Sequence, residues 1–298
     1  MAMHVGIELG GTKCICILGS GPDDIRAREQ LPTGDPATTL ARIAAILERW
    51  SAATPFASAG IASFGPLDLR AGSPTFGRIG KTPKPAWTHI DLLGFFSQRL
   101  DVPVGITTDV IGAALAEHKW GGGRGLRDLA YVTVGTGIGV GLIHDGRALI
   151  GAHHPELGHA RIARAPGDGW PGHCSFHGDC VEGLASGPAI EARCGVDGAH
   201  VAADDPAWAL VAHALGQLAH LIVVSFAPQR ILMGGGVLVN RPRLFAEIRR
   251  CLAESLNDYL EIEEISRGLD SYVVAPGLGA DAGPLGALAV AIAAKMTA

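Results

Sequence analysis

Short apolar runs bounded by glycine alternate with helical patterns along the chain. In the first part, apolar runs at residues 3–9 and 13–18 flank Gly10-Gly11-Thr12 and predict a β-hairpin. Apolar residues at helical spacing then predict an amphipathic helix over residues 37–50. The other elements predicted in this part are strands at residues 57–64 and 104–108 and a helix at residues 111–119.

A second cycle of the same kind begins near residue 129. A strand at residues 129–134, a glycine-rich turn at 135–141 and a strand at 140–144 repeat the first hairpin. The repetition predicts an α/β fold of two related domains, residues 1–117 and 118–298, with a ligand cleft between them. The later elements predicted are helices at residues 207–226, at 240–257 and from about 283, and a strand at 230–233.

Composition narrows the classes of function. The chain has 298 residues, 48% of them hydrophobic and 18% charged, which suits a folded protein of two domains. A net charge of −5 and a pI near 6.2 give no general basic surface for nucleic acid. The start of the chain lacks a signal-peptide pattern and the apolar run 284–294 is too short to span a bilayer, so we expect a cytoplasmic protein without a membrane partner. The six cysteines are then expected to be reduced thiols.

Three glycine motifs are candidate phosphate or nucleotide sites. The turn Gly10-Gly11-Thr12-Lys13 offers backbone N–H groups and a hydroxyl to phosphate oxygens, and Glu8 before it suits the water shell of Mg²⁺. The turn Gly135-Thr136-Gly137 differs from a dinucleotide fingerprint because a strand rather than a helix follows it. The run Gly234-Gly235-Gly236 ends a buried strand, where backbone without side chains would let a purine or its ribose approach. For each motif, an ordinary tight turn is the alternative interpretation.

A pattern of cysteine and histidine predicts a metal site. Cys174, His177 and Cys180 follow one another at intervals of three, and His159 precedes them by a short distance in sequence. Four nitrogen and sulfur ligands without an open position are typical of structural Zn²⁺. Unrelated polar loop residues are the alternative to a metal site. The alternative ligands are His153, His154 and His173.

Asp109 is the candidate for acid–base chemistry. It ends an apolar strand, a position where side chains face the ligand crevice of an α/β fold. Its carboxylate would accept the proton of an attacking hydroxyl, which is the general-base task in phosphoryl transfer. The other role compatible with this position is the N-cap of the following helix.

With these motifs, the chain resembles the ROK family of sugar kinases and, within it, the fructokinase branch. The resemblance extends from Gly6 to the last helix. Its most specific parts are His154-Pro155-Glu156-Leu157-Gly158-His159, the segment 174–189 that begins Cys174-Ser175-Phe176-His177, and Thr82-Pro83-Lys84-Pro85-Ala86-Trp87.

The resemblance implies an actin-like, ribonuclease-H-like fold in which ATP and sugar meet between two domains, with the last helix packing back on the first. It implies that residues 10–13 and 135–139 hold the phosphates, that residues 234–237 lie near adenosine, and that Asp109 is the catalytic base. The implied sugar ligands are Gly65, Glu156, His159 and Glu182. The implied zinc ligands are His159, Cys174, His177 and Cys180, so that His159 would serve both the metal and the sugar.

The activity implied by the resemblance is ATP- and Mg²⁺-dependent phosphorylation of a hexose at its 6-hydroxyl, fructose first, by a homodimer that contains structural zinc. Two departures from the family pattern are Ile111, where an asparagine is usual, and Glu8, where an aspartate is usual. The alternatives are a kinase preferring mannose, glucose or an N-acetylhexosamine, and a non-catalytic sugar sensor. Repressors of the family carry an N-terminal helix-turn-helix, for which no room precedes Gly6, so we expect no nucleic-acid partner.

Overall fold

A computed structural model describes residues 2–84 and 86–297 of the chain. It divides into two compact units. The first contains Met1–Arg124, Arg147–Pro155 and Ala280–Ala298, and the second contains Gly125–Gly146 and Glu156–Gly279. The predicted boundary after residue 117 differs from this division because the helix that contains residue 117 continues to Trp120. The predicted second domain also included two segments that belong to the first unit.

Strands and helices follow one another in the order β-β-β-α-β-α-β-α in the first 120 residues, and in a similar alternation afterwards. Within the described residues, the strands are β1 (His4–Leu9), β2 (Lys13–Gly21), β3 (Asp24–Pro32), β4 (Ala59–Ser63), β5 (Val104–Thr108), β6 (Leu129–Val134), β7 (Ile138–His144), β8 (Arg147–Ala148), β9 (Arg230–Gly234) and β10 (Val273–Val274). The helices in the same residues are α1 (Pro36–Ala53), α2 (Leu92–Ser97), α3 (Asp109–Trp120), α4 (Val181–Ala185), α5 (Gly187–Cys194), α6 (Ala207–Phe226), α7 (Gly236–Val239), α8 (Leu244–Leu256), α9 (Glu263–Ser266), α10 (Leu269–Tyr272) and α11 (Ala282–Thr297).

The sheet of the first unit has the strand order β3-β2-β1-β4-β5. Strands β1 and β2 form the predicted antiparallel hairpin, whereas β4 and β5 add parallel strands on the other side of β1. The side chains of β1 are almost all buried, as expected for a central strand. Strand β3 was missed in the sequence because five of its nine residues are exposed and four are charged, which is typical of an edge strand.

Glycines allow helix α11 to approach the sheet of the first unit closely. A Cβ atom on Gly60 of β4 would lie 2.2 Å from the carbonyl oxygen of Ala287, and one on Gly6 of β1 would lie 2.7 Å from the backbone nitrogen of Leu288. Since real Cβ atoms do not approach backbone atoms so closely, these positions require glycine. The last helix therefore packs on the first unit, as the resemblance implied.

The second unit repeats the pairing pattern of the first. Strands β6 and β7 form an antiparallel hairpin, β9 lies parallel to β6, and β10 lies parallel to β9. Among the described residues, only helix α6 has the length and hydropathy of a membrane span, and 50% of that stretch is buried. Its Val211, Leu215 and Leu218 are part of the core of this unit, as expected of a core helix.

The helix predicted at residues 240–257 was wrong in its first part. Helix α7 ends at Val239, and helix α8 begins only at Leu244. Pro242 lies between them, and the backbone N–H of Phe245 donates to its carbonyl at 3.2 Å. A proline has no N–H for a helix interior, which explains the interruption.

Candidate functional site

The first hairpin turn lies at the end of β1. The N–H of Gly10 donates to the carbonyl of Lys13 at 3.0 Å, and the hydroxyl of Thr33 donates to the carbonyl of Gly10 at 2.7 Å. A Cβ atom on Gly11 would meet no atom within 4 Å, so the tip of the turn is open. Thr12 and Lys13 are exposed beside it. The turn thus leaves accessible backbone at its tip, and its role as a phosphate site stays a prediction.

Glu8 lies on β1, directly before this turn, and its carboxylate reaches the first turn of α11. A Cβ atom on Gly283 would lie 2.0 Å from Oε1 of Glu8. Burial, and then the negative charge of Asp109, raise the pKa of Glu8 to about 7. A carboxyl group with such a pKa exchanges its proton near neutral pH, and a divalent cation would favour its ionised form.

Asp109 is the first residue of α3, immediately after β5. The N-cap of this helix is Thr108, whose hydroxyl oxygen accepts from the N–H of Ile111 at 3.2 Å. The Asp109 carboxylate instead accepts from the N–H of Val110 at 2.8 Å. Burial raises the pKa of Asp109. The capping role considered for Asp109 therefore belongs to its neighbour, and a raised pKa suits a general base.

Gly65 lies in the loop after β4, next to His154, which the sequence indicated only as an alternative metal ligand. Nε2 of His154 accepts from the N–H of Leu67 at 3.0 Å. A Cβ atom on Gly65 would lie 3.4 Å from Cε1 of the same ring. Burial, and then His153, lower the pKa of His154 to about 4, so the ring is neutral and can accept. His154 therefore holds the Gly65 loop in place.

The segment 82–87, of which Pro85 is outside the described residues, lies against the first hairpin turn. The ammonium of Lys84 donates to the carbonyl of Gly11. Trp87 is fully buried, and its indole N–H donates to the carbonyl of Gly34 at 2.9 Å. No sequence pattern indicated a role for Lys84, because Lys84 and Gly11 lie 73 positions apart in the chain.

The second hairpin turn, between β6 and β7, has a carboxylate beside it. The N–H of Gly135 donates to the carbonyl of Gly137 at 2.9 Å, and the N–H of Ile138 donates to Oε2 of Glu182 at 3.0 Å. A Cβ atom on Gly137 would lie 2.7 Å from the same oxygen. Thr136 at the tip is exposed. The end of this turn is thus hydrogen-bonded to the side chain of Glu182 in helix α4.

The third glycine run ends β9. Gly235 has a φ of +93°, and a Cβ atom there would lie 2.3 Å from the carbonyl oxygen of Val134. A Cβ atom on Gly234 would lie 2.7 Å from Cγ of Pro276, whereas Gly236 has open space around it. Two of these glycines are therefore required by the fold itself. Gly236 is the position at which a ligand could approach the backbone.

His159, Cys174, His177 and Cys180 come together in the second unit, with their ligand atoms all within 4.8 Å of one another. Nδ1 of His159 lies 3.7 Å from Sγ of Cys174 and 3.7 Å from Sγ of Cys180. In a tetrahedral zinc site, neighbouring nitrogen and sulfur ligands lie about 3.6 Å apart. The four residues therefore fit Zn²⁺, and the alternative ligand His173 is not part of this cluster.

The loop that carries the ligands is shaped by glycines and by its own backbone bonds. The N–H groups of Cys174 and Gly178 donate to each other's carbonyls at 3.1 and 2.9 Å. A Cβ atom on Gly183 would lie 1.8 Å from the carbonyl oxygen of Gly178. Burial raises the pKa of the Cys180 thiol to about 11, so a metal ion would have to displace its proton.

Arginine–aspartate pairs support the loop, and sequence reasoning missed them. Asp179 accepts from Arg161 at 2.6 Å and from Arg164 at 3.1 Å. Asp168 accepts from both terminal nitrogens of Arg193 at 3.0 Å, which lowers its pKa to about 2. No motif predicts these pairs, although Asp179 lies within the cysteine–histidine pattern.

The remaining predicted sugar ligands lie beside the metal cluster. His159 ends a short 3-10 turn, Leu157–His159, and its N–H donates to the carbonyl of Glu156 at 2.9 Å. Nδ1 of His159 also lies 3.9 Å from Oε1 of Glu182. A Cβ atom on Gly158 would lie 1.7 Å from the carbonyl oxygen of Ile138, so the turn rests directly on β7. The structure therefore brings His159 close to both Glu156 and Glu182.

Comparisons with known proteins agree over nearly the whole chain. A model of the ROK family matches residues 4–294. A fructokinase of Zymomonas mobilis is 41% identical over 294 residues, which cover 97% of this chain and 96% of that protein. A fructokinase of Pediococcus pentosaceus is 37% identical over 292 residues, which cover 98% of each chain. The crystal structure of a ROK hexokinase from Thermus thermophilus has a TM-score of 0.77 and 27% identity, and the alignment covers 99% of this chain and 100% of that one.

Proposed function

Because this chain belongs to the ROK family, we propose that it transfers the γ-phosphoryl group of ATP to the 6-hydroxyl of D-fructose, which yields D-fructose 6-phosphate. The observation that carries the proposal is the likeness to two fructokinases over nearly their full length. The structure supports it with the half-buried carboxylate of Asp109, the open space at two glycine turns, and a cysteine–histidine cluster next to Glu182.

Asp109 would act as the general base. Its pKa is raised by burial, and its carboxylate, at the start of α3, accepts from the N–H of Val110. A base of this kind takes the proton of the attacking sugar hydroxyl as the new P–O bond forms.

The phosphates of ATP would bind at the two hairpin turns, at Gly10, Gly11, Thr12 and Lys13 and at Gly135, Thr136 and Gly137. The open space around Gly11 and Gly135 supports this assignment, since a phosphate oxygen can reach the backbone there. Gly234, Gly235 and Gly236 would lie near adenosine. Glu8 would hold the water shell of Mg²⁺, which neutralises charge on the phosphates when it is bound.

The sugar would be bound by Gly65, Glu156, His159 and Glu182. In the second unit, Zn²⁺ held by His159, Cys174, His177 and Cys180 would fix His159 relative to Glu182. Four protein ligands leave no open position, so the ion would have a structural role only. His159 would ligate the metal through Nδ1, the nitrogen that faces both thiols, and so would keep Nε2 for the sugar.

The proposal is tested by assaying purified protein with Mg-ATP against fructose, mannose, glucose and N-acetylglucosamine, with the product position assigned by NMR. We expect fructose to give the highest kcat/KM and fructose 6-phosphate as product. A tenfold preference for glucose would contradict the fructokinase assignment, but the protein would still be a sugar kinase. The absence of turnover with every sugar would favour a non-catalytic sugar sensor.

We also propose that the enzyme acts in the cytoplasm as a homodimer, by analogy with its family. Sedimentation equilibrium of the purified chain tests the second part, because a dimer has twice the mass of the 30.7 kDa chain.

A further inference from the structure

Lys84 places a positive charge on the first hairpin turn from a distant part of the sequence. Its Nζ donates to the carbonyl of Gly11, the residue at the open tip of the turn. The same Nζ lies 5.9 Å from the centroid of the Phe64 ring. The ammonium is therefore located beside an accessible turn, with an aromatic ring behind it.

The segment that carries Lys84 is anchored in the core of the first unit. Trp87 is fully buried and packs edge-to-face on Phe64, with the ring centroids 5.3 Å apart. Its backbone N–H donates to the carbonyl of Lys84 at 3.3 Å, and its indole N–H donates to Gly34. These contacts connect the backbone of Lys84 to a buried residue of the core.

The contact with Gly11 does not use the full capacity of the ammonium group. A lysine ammonium has three N–H donors, and the Gly11 carbonyl accepts from one of them. Lys84 is half-buried, and partial removal of a cation from water is unfavourable unless an anion compensates it. A phosphate at the open turn would supply that anion and form a charge-assisted hydrogen bond.

We propose that Lys84 is a phosphate-binding residue that donates to the terminal phosphate of ATP while it holds the carbonyl of Gly11. The inference rests on the proposed function, since it takes the turn at residues 10–12 as the place where the phosphates bind. Within that function it adds to Lys13 a second cation, which comes from a segment outside the glycine motifs. Lys13 directly follows the turn and is exposed, whereas the ammonium of Lys84 is hydrogen-bonded to the turn at Gly11.

The test measures nucleotide binding by calorimetry on the full chain, without sugar and without turnover. The ligands are a non-hydrolysable ATP analogue, ADP and AMP, each with Mg²⁺. For Lys84→Met we expect a Kd for the analogue raised about 10- to 100-fold, the usual effect of losing one charge-assisted hydrogen bond. The effect should be smaller for ADP and absent for AMP, since AMP has no terminal phosphate at the turn.

Lys81→Met is the matched control, because Lys81 is an exposed lysine on the same segment. It should bind all three nucleotides as the parent does. Lys84→Arg should recover most of the affinity, since it restores a cation. Where Lys84→Met does not fold, Lys84→Gln replaces it in the same series.

Three results would overturn the inference. An equal loss for AMP, ADP and the analogue would mean that Lys84 only shapes the turn. Unchanged nucleotide binding with a raised fructose KM would assign Lys84 to the sugar. If the parent itself binds neither the analogue nor ADP, the proposed function fails, and this inference fails with it.

Discussion

The two hairpin turns are each closed by a backbone hydrogen bond from their first glycine, but they obtain their carboxylates differently. In both, the first glycine donates across the turn, from Gly10 to Lys13 and from Gly135 to Gly137. In the first unit, the acid is Glu8, which lies on the hairpin itself. In the second, the acid is Glu182, which comes from helix α4 and accepts from the hairpin backbone.

The difference connects each turn to a different part of the molecule. Glu182 follows Cys180 by two residues, so the second turn is linked to the cysteine–histidine cluster. Glu8 is linked electrostatically to Asp109. We therefore expect changes in the first unit to act on the chemical step, and changes in the second to act on metal content and sugar binding.

The largest effect should come from the first unit, at Asp109. Asp109→Asn keeps the shape of the side chain but cannot accept a proton, so kcat should fall by roughly 10²- to 10⁴-fold. Fructose binding and the unfolding midpoint should change little. The measurement is steady-state kinetics together with calorimetric titration of fructose.

Asp101→Asn is the control for charge, because Asp101 is exposed in the loop before β5. It should have parental kinetics. If kcat of the Asp109 variant stays within threefold of the parent, Asp109 is not the base, and the assignment of the chemical step to the first unit is wrong.

The next effect should come from the metal cluster of the second unit. Cys180→Ser removes a buried ligand, so we expect less than one zinc per chain, a lower thermal midpoint and a fructose KM raised before the KM for ATP. Elemental analysis after purification without chelators gives the metal content. Cys194→Ser, a cysteine outside the cluster, should keep both zinc and kinetics. Parent protein without stoichiometric zinc would contradict the metal assignment.

Glycine substitutions in the two turns should affect ATP binding and not fructose binding, and the expected change is smaller than for Asp109. Gly11→Ala and Gly135→Ala add a methyl group where no protein atom lies within 4 Å, so the fold should tolerate them. Each should raise the KM for ATP on the order of tenfold, the effect of one weakened hydrogen bond, and leave the fructose KM unchanged.

Gly137→Val provides the contrast, because its side chain would push against Glu182. It should raise the KM values for both ATP and fructose. If instead Gly11→Ala and Gly135→Ala raise only the fructose KM, the turns bind the sugar rather than the phosphates.

The last expected effect concerns the pH dependence of stability rather than catalysis or binding. The pKa of Glu8 is raised to about 7, so between its ordinary value and pH 7 the folded chain keeps a proton that the unfolded chain releases. Its contribution to the free energy of unfolding therefore falls as pH rises through this window, by up to about 3 kcal/mol. In the Glu8→Gln variant, the free energy of unfolding, measured with urea from pH 4.5 to 7.5, should not show this fall. In the parent, added Mg²⁺ should make the fall smaller. Parallel pH profiles for the parent and the variant would show that Glu8 does not titrate in this range.

Local patterns predicted much of the fold. The predicted two-part α/β fold of the actin-like ATPases is confirmed by the likeness to ROK structures. Helix α6 and strands β5 and β6 were predicted with their observed bounds, because buried elements have unbroken apolar periodicity. The four residues proposed as zinc ligands lie together, since three of them belong to one short loop.

What the sequence could not provide depends on contacts between distant residues. The bond from Ile138 to Glu182 spans 44 positions, and the one from Lys84 to Gly11 spans 73. No periodicity or motif predicts such pairs, because neither partner has a pattern that requires the other. His154 was considered only as an alternative metal ligand, since its buried bond to Leu67 is visible only in the folded chain.

The position of helix α11 has a consequence for the order of folding during synthesis. This helix, Ala282–Thr297, belongs to the first unit, where its backbone lies close to Gly6 and Gly60. The ribosome nevertheless synthesises it after the whole second unit. The second unit can therefore complete its core while the first still lacks a layer of its own. Until α11 emerges, Gly6 of β1 and Gly60 of β4 lack the helix backbone that lies against them, and Glu8 lacks the helix against which its carboxylate lies. The unit translated first is thus the one that finishes folding last.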